Sequence, residues 1–349
     1  MKRRIMLLDV LPDELSIKEI AGYISPEIAL IVNLPQNGCH AYQAQRHFES
    51  VSINIHDEEQ ILAVARQFGG FDAIKLRKNV PLRKELLCAL TADDLATRLK
   101  VIGQAGVGLN HIDTGAAEEL GIDVFNTPGA NATAVAEFTL LQMLALLRQT
   151  NWHQDQMRRG HWSKSARPPA RSLSDISVGL AGSGAISRAL IALLKPFQCP
   201  VNVLGSSRFT DKNADELGVM RADDLLALLS GNDVISLHLP LNADTHYMLN
   251  ASVFPCIRKG AYLLNMSRGG LIDETALAAF MQQHPGWISG VALDTFEAER
   301  EPFYSPLQES EYALLTPHIA GTTETALLTS ALRVQQGILS RLAADAEKK

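Results

Sequence analysis

The segment Val178-Gly-Leu-Ala-Gly-Ser-Gly-Ala-Ile-Ser187 constrains the fold more than any other part of the chain. An apolar run ends in a glycine turn that opens into an apolar-periodic stretch, the pattern of a strand, a tight turn and a helix. Gly182 permits the turn and Gly184 lets the backbone approach a pyrophosphate. The helix beyond, starting at Ala185 and Ile186, offers free N–H groups and the positive end of its dipole. A dinucleotide is the implied ligand. Ser187 stands at the third fingerprint position, where a small side chain fits the close helix–strand contact. For this segment alone, the alternative is a glycine turn with no ligand.

The next predicted strand is Val201–Leu204, and a binder of NAD would place Asp or Glu at its end to accept the ribose 2′-hydroxyl. This chain has Gly205-Ser-Ser-Arg208 there. Glycine leaves room for a 2′-phosphate, Ser206 and Ser207 can donate to it, and Arg208 can pair with it. The expected cofactor is NADP(H), with NAD(H) as the second choice. The alternative is a solvated polar loop that carries an arginine.

Short apolar runs alternate with helical patterns almost from end to end, as in parallel sheets built from βαβ units. Strands are expected at 5–8, 73–76, 101–104 and 124–126, with helical periodicity over 82–99. Thr127-Pro-Gly-Ala-Asn-Ala-Thr133 breaks the pattern, and a helix of about five turns follows through Val135, Phe138, Leu141, Leu144 and Leu147. The domain boundary is placed at this break. After a polar arm over 160–175, strands are expected at 176–181, 201–204, 234–237, 262–265, 289–293 and 314–315. A closing helix over 325–342 presents Leu328, Leu332, Gln335 and Leu339 on one side and should pack back on the first domain, and 343–349 should fray.

With 349 residues the chain is long enough for two domains. A net charge of -6 without a basic run argues against a general nucleic-acid or membrane-surface binder. The partner is expected to be a small molecule. Cys39, Cys88, Cys199 and Cys256 are widely spaced and form no ligand-like cluster, so reduced thiols in a cytoplasmic enzyme are expected, with no metal. The apolar start is broken by Asp9 and Pro12 and reads as a strand rather than a signal peptide. No stretch is long and apolar enough for a membrane helix.

Three segments carry candidate chemistry. Asn265-Met-Ser-Arg-Gly-Gly270 puts Arg268 at a strand's carboxyl end, and Thr316-Pro-His-Ile-Ala-Gly321 puts His318 after another. Between them the loop after Asp294 holds Glu297, Glu299 and Glu301. Taken with Lys100-Val-Ile-Gly-Gln-Ala-Gly-Val-Gly-Leu-Asn-His-Ile-Asp113 and Asn126-Thr-Pro-Gly-Ala-Asn-Ala-Thr-Ala-Val-Ala-Glu137, these segments resemble the D-isomer-specific 2-hydroxyacid dehydrogenases over roughly residues 70 to 340.

The resemblance implies an α/β protein of two doubly wound parallel-sheet domains. Residues 1–126 with 319–349 would form a flavodoxin-like substrate domain and 127–318 a Rossmann-like NAD(P)-binding domain. It implies a catalytic set of Arg268, Glu301 and His318, and substrate-carboxylate binding by the Val107 and Gly108 amides. Pro240, Thr245, Met266, Asp294 and Gly321 would join the cofactor site, with Asp294 accepting from the nicotinamide carboxamide. Arg77 could reach a second group of the substrate, and the long helix and the arm around Trp162 resemble dimer elements, so a homodimer is expected. One departure stands out. The interval from Asp294 to Pro302 is two residues longer than usual in the family, so Glu299 competes with Glu301 for His318, and Glu301 is favoured for its Glu-Pro pair.

The chemistry implied is reduction of a small 2-keto acid, of glyoxylate, hydroxypyruvate or sugar-acid type, to the D-2-hydroxy acid. Negative charge growing on the carbonyl oxygen must meet a proton, which an imidazolium beside a carboxylate can supply. Arg268 would clamp the carboxylate in two-point contact. The alternatives are a nucleotide-sensing regulator on the same fold, which would have little need for this catalytic set, and oxidation of formate or phosphite.

Overall fold

The computed structural model describes residues 2–34, 47–78 and 80–347. Cys39 lies outside them. The chain divides into two compact units, residues 1–131 with 322–349, and residues 132–321. The first boundary falls after Asn131 rather than at 126/127, because Thr127 is tied to the first unit. Its Oγ1 accepts the Gly106 N–H at 3.1 Å and lies 2.6 Å from Ser330 Oγ. The second falls after Gly321 rather than after His318.

The first unit contains β1 (Arg3–Leu7), β2 (Ile28–Asn33), β3 (Glu49–Val51), β4 (Ala73–Leu76), β5 (Val101–Gln104) and β6 (Asp123–Asn126). Its helices are α1 (Asp13–Ala21), α2 (Glu58–Phe68), α3 (Lys84–Leu90), α4 (Thr114–Glu119) and, from the chain's end, α11 (Glu324–Glu347). The strands pair in parallel in the order β3-β2-β1-β4-β5-β6. Without the short edge strand β3 this is the order of a flavodoxin-like sheet.

One face of that sheet is covered by α2, α3 and α4 around Met6, Ile74, Leu87 and Ile102. The other is covered by α1 and α11 around Leu7, Leu30, Val101, Val334 and Ile338. The helical pattern expected over 82–99 contracts to α3. Leu82 instead bridges to Ile112, and Leu95 and Leu99 are buried core residues of a loop. In α11 the fully buried stripe is Ala326, Ser330, Ala331, Val334, Ile338 and Leu342, with the expected Leu328, Leu332, Gln335 and Leu339 only half-buried beside it. The helix also runs on to Glu347, where fraying was expected.

A fully buried cation lies beside the turn at the end of β1. Lys75 Nζ lies 2.6 Å from the Asp9 carbonyl oxygen, 3.2 Å from Asp9 Oδ1 and 2.6 Å from Glu19 Oε1. Asp9 Oδ2 accepts the Lys78 N–H at 2.6 Å, and Glu19 Oε2 accepts the Leu11 N–H at 2.7 Å.

The second unit contains α5 (Ala132–Arg148), α6 (Thr150–Arg158), α7 (Ala185–Leu194), α8 (Asp211–Leu217), α9 (Leu225–Gly231) and α10 (Glu274–Gln283). Its strands are β7 (Val178–Ala181), β8 (Val201–Leu204), β9 (Met220–Arg221), β10 (Val234–Leu237), β11 (Ala261–Asn265), β12 (Ile288–Leu293) and β13 (Ala313–Leu315). They form an all-parallel sheet in the order β13-β12-β11-β10-β7-β8-β9. Reversal of strand order on either side of β7 is the doubly wound arrangement, with its ligand crevice at the strand ends. Helices α5 and α7 cover one face, and α9 and α10 the other. Among the described residues no helix is long and apolar enough to cross a membrane.

Candidate active site

The glycine turn follows β7 as expected. Gly182 has φ +113°, and a β-carbon on it would lie 2.3 Å from the His238 carbonyl oxygen, so only glycine fits. A β-carbon at Gly184 would meet no atom within 4 Å. Gly184 caps α7 without a side-chain hydrogen bond, which leaves the first N–H groups of the helix, at Ala185 and Ile186, facing outward. This is a fit for a pyrophosphate. Burial pushes the His238 imidazole down to about 4, so it stays neutral beside the turn.

At the ribose end Ser206, Ser207 and Arg208 are exposed, and Arg208 has no ion-pair partner among the described residues. Gly205 is explained differently from the expectation. A β-carbon there would come within 2.3 Å of Phe209, which is buried, so the glycine accommodates Phe209 and says nothing about the phosphate. Pro240 and Thr245 are joined by a 2.7 Å hydrogen bond from Thr245 Oγ1 to the Pro240 carbonyl. Met266 is buried immediately after β11, and Gly321 closes the unit.

Three loops at the ends of β11, β12 and β13 bring the charged residues together. After β11, Asn265 accepts the Ser267 N–H and donates to the Arg268 carbonyl at 2.8 Å, while Ser267 Oγ donates to the Leu237 carbonyl. Arg268 is thereby fixed at the end of its strand. After β13, His318 adopts a left-handed φ of +54°, an uncommon conformation for a non-glycine residue. Asp294, at the end of β12, holds this turn. Its Oδ1 accepts from Thr316 Oγ1 at 2.6 Å and from the Ile319 N–H at 2.9 Å, and its Oδ2 accepts from the Ala320 N–H at 2.8 Å. Asp294 has no accessible surface, so its carboxylate acts on the His318 turn rather than standing open to a nicotinamide.

The carboxylate that meets His318 belongs to Glu299, whose Oε2 lies 2.8 Å from His318 Nδ1. Glu299 Oε1 accepts the Phe296 N–H at 3.3 Å, which turns the side chain back across its own loop. Glu301, favoured from sequence, is exposed and makes no such contact. Along this loop it is Glu299, not the Glu-Pro pair at 301–302, that crosses His318.

The Glu299 hydrogen bond raises His318 above its ordinary value against the opposing effect of burial; the Glu299 and Asp294 charges add to the rise and Arg268 opposes it. Burial alone would raise Glu299. The hydrogen bond and charge of His318, the Phe296 amide and the Arg268 charge outweigh it and hold the carboxyl low. The result is a pair in which each partner favours the charged form of the other, with the Arg268 charge acting on both. Nδ1 is engaged by Glu299, which leaves Nε2 to present a proton.

In the first unit, the Val107 and Gly108 N–H groups have no acceptor among the described residues, and the turn is held by Asn126 Nδ2 on the Val107 carbonyl at 2.7 Å. Arg77 lines a cavity of about 770 Å³ with Lys78, Asn54 and His56. Among the described residues no group of three His, Cys, Asp or Glu could hold a metal ion.

Residues 140–320 match the family model for the NAD binding domain of D-isomer specific 2-hydroxyacid dehydrogenases. The chain belongs to this family. It is a D-2-hydroxyacid dehydrogenase, an NAD(P)-dependent oxidoreductase. A glyoxylate reductase of Thermofilum pendens is 35% identical over 258 residues, 71% of this chain and 75% of that one. A D-3-phosphoglycerate dehydrogenase of Methanocaldococcus jannaschii is 34% identical over 256 residues, 73% of this chain but 47% of that longer relative. In fold, the dehydrogenase matches a D-lactate dehydrogenase of Aquifex aeolicus with a TM-score of 0.76 at 24% identity, covering 99% of this chain and 97% of that one.

Proposed function

We propose that this dehydrogenase reduces a small 2-keto acid, of glyoxylate, hydroxypyruvate or sugar-acid type, to the D-2-hydroxy acid with NADPH. The observation that carries the reading is the 2.8 Å contact of His318 with Glu299 in a site that also holds Arg268. The bound nicotinamide cofactor supplies the hydride. His318, kept protonated by Glu299, delivers a proton from Nε2 to the carbonyl oxygen as negative charge builds there. Arg268 holds the carboxylate and polarises the carbonyl. In the first unit, the Val107 and Gly108 amides suit a substrate carboxylate, and Arg77 a further polar group of the substrate.

The uncapped turn at Gly182–Ile186 fits the pyrophosphate, with Pro240, Thr245, Met266 and Gly321 as further contacts. The exposed Ser206, Ser207 and Arg208 suit a 2′-phosphate. Glyoxylate is a sensible first substrate because a similar protein is a glyoxylate reductase. Exposed Leu141 and Trp162 support a homodimer, and the free thiols Cys88, Cys199 and Cys256 suit a reducing compartment such as the cytoplasm. The deciding experiment measures kcat/KM for a panel of 2-keto acids with NADPH and NADH. Turnover with preference for NADPH is expected. Binding of NADPH without oxidation by any 2-keto acid would sink the enzymatic reading, and a preference for NADH would sink the assignment of Arg208.

A further inference from the structure

The loop that delivers Glu299 is poorly supported along most of its length. Residues 297–304 are all exposed, yet a proton donor and its partner must be placed to within a fraction of an ångström. Support comes at the two ends, and from one side chain. Glu274, the first residue of α10 and a buried carboxylate, accepts the Glu297 N–H on Oε1 at 3.3 Å and the Ser305 hydroxyl on Oε2 at 2.7 Å. Ser305 is itself buried. The bonds therefore join points 23 and 31 residues further along the chain to a single group.

Other contacts converge on the same place. A β-carbon at Gly269 would lie 2.1 Å from the Phe296 carbonyl carbon and oxygen and 2.6 Å from the Glu297 nitrogen, so the turn bearing Arg268 rests directly on the Phe296–Glu297 peptide. The Phe296 and Phe303 rings meet edge to face with centroids 4.8 Å apart, closing the loop from its apolar side. The Phe296 N–H holds Glu299 Oε1. The Phe296–Glu297 peptide is thus a joint shared by the Arg268 turn, the head of α10 and the Glu299 loop.

We infer that Glu274 is a positioning residue for Glu299: by clasping both ends of the 297–305 loop it sets the carboxylate on His318. The inference rests on the reading of His318 as the acid. No substrate contact is assigned to Glu274. The charged groups acting on His318 are Glu299, Asp294 and Arg268, and those near Glu274 include Glu297, with Tyr247 hydrogen-bonded to Glu297.

The test follows the His318 imidazole titration by NMR of histidine-labelled protein, with His318→Asn assigning the signal. Glu299→Gln is the reference and is expected to lower the midpoint. Glu274→Ala is expected to lower it by about half a pH unit or more, roughly a threefold change in the protonation constant. Glu274→Gln can still accept from Glu297 and donate to Ser305, and is expected to restore the parent midpoint. Ser305→Ala removes one clasp and should give a smaller shift in the same direction. A folded Glu274→Ala protein that titrates like the parent, while Glu299→Gln is shifted, overturns the inference alone. If Glu274→Ala does not fold, Ser305→Ala decides by the same two outcomes. An unshifted Glu299→Gln protein overturns both this inference and the Glu299–His318 pairing on which it rests.

Discussion

The two units are built on nearly the same sheet, yet the turn after the first strand is made of different residue types in each. In the unit beginning with β7, the strand ends in Gly182, Gly184 points a bare Cα outward and α7 starts uncapped. In the unit beginning with β1, the corresponding turn carries Asp9 and Leu11 and lines a cavity of about 770 Å³, α1 also starts uncapped after Pro12, and Lys75 is buried against Asp9 and Glu19. The topology offers a ligand crevice twice and both helices start without a side-chain cap, but only the turn after β7 is built of glycines that let another backbone or a ligand approach closely. Strand order alone therefore does not distinguish the two crevices; the residue types of the turns do.

The largest expected effect tests the charged turn of the first unit. Lys75→Met leaves Asp9 and Glu19 buried without their cation and should destabilise the protein by about 3–5 kcal/mol, read as the shift in the urea midpoint. The affinity of surviving folded protein for NADPH should be unchanged, and a protein of unaltered stability would erase the contrast between the two turns. Next come the groups beyond the open crevice. His318→Ala should lower kcat/KM by at least about a hundredfold with NADPH binding kept, as expected on loss of a positioned proton donor. Equal loss of NADPH binding would mean that His318 belongs to the nucleotide site instead.

Arg208→Ala should weaken NADPH about ten- to a hundredfold, the worth of one charge-assisted hydrogen bond, and leave NADH nearly unchanged in fluorescence titrations. Matching losses for both cofactors would show that Arg208 does not read the 2′-phosphate. Gly205→Asp is no clean probe of the same question, because any side chain there displaces Phe209.

The smallest effect is that of pH. Because His318 is raised, its proton persists above the ordinary value of about 6.5, and reduction should fall only as pH climbs through the raised value. Its stabilising contribution is complete below the ordinary value and is lost over that same climb. Glu299, held low, contributes above the ordinary carboxyl value and loses its contribution as pH falls through the depressed one. Both side chains are more than a third exposed, at 46% and 37%, so the stability change should stay below about 1 kcal/mol and the rate is the better readout. Glu301→Gln should leave the alkaline limb of the rate profile in place, whereas Glu299→Gln should move it to lower pH.

The same contrast explains what could be read from the amino-acid sequence. The glycine turn was legible because its requirements are local: positive φ, close backbone approach and small size are properties of single residues. Strands β4, β5, β8 and β10 were equally legible as short apolar runs bounded by turns. Strand β3, with the sequence Glu-Ser-Val, and the two-residue β9 carry no such signal and owe their state to their neighbours. The periodicity through Leu95 and Leu99 came from burial in a loop, which helical spacing alone cannot distinguish. Arg268 and His318 follow strands as expected, three residues beyond β11 and β13, but their position alone did not mark them out and the family resemblance did. The choice between Glu299 and Glu301 was not, since it depends on where Glu274 and Gly269 grip the loop, contacts that no local pattern encodes.

The return of α11 to the first sheet has a consequence for synthesis. The face covered by α2, α3 and α4 can close as soon as those segments have left the ribosome, because every residue in that core precedes residue 125. The opposite face, with Ile5, Leu7, Leu30 and Val101, must wait for Val334, Ile338 and Leu342. The whole of the second unit is translated during that wait. It can therefore finish folding while its neighbour still shows a hydrophobic surface to the nascent chain and to chaperones, and final closure is timed by the arrival of one helix.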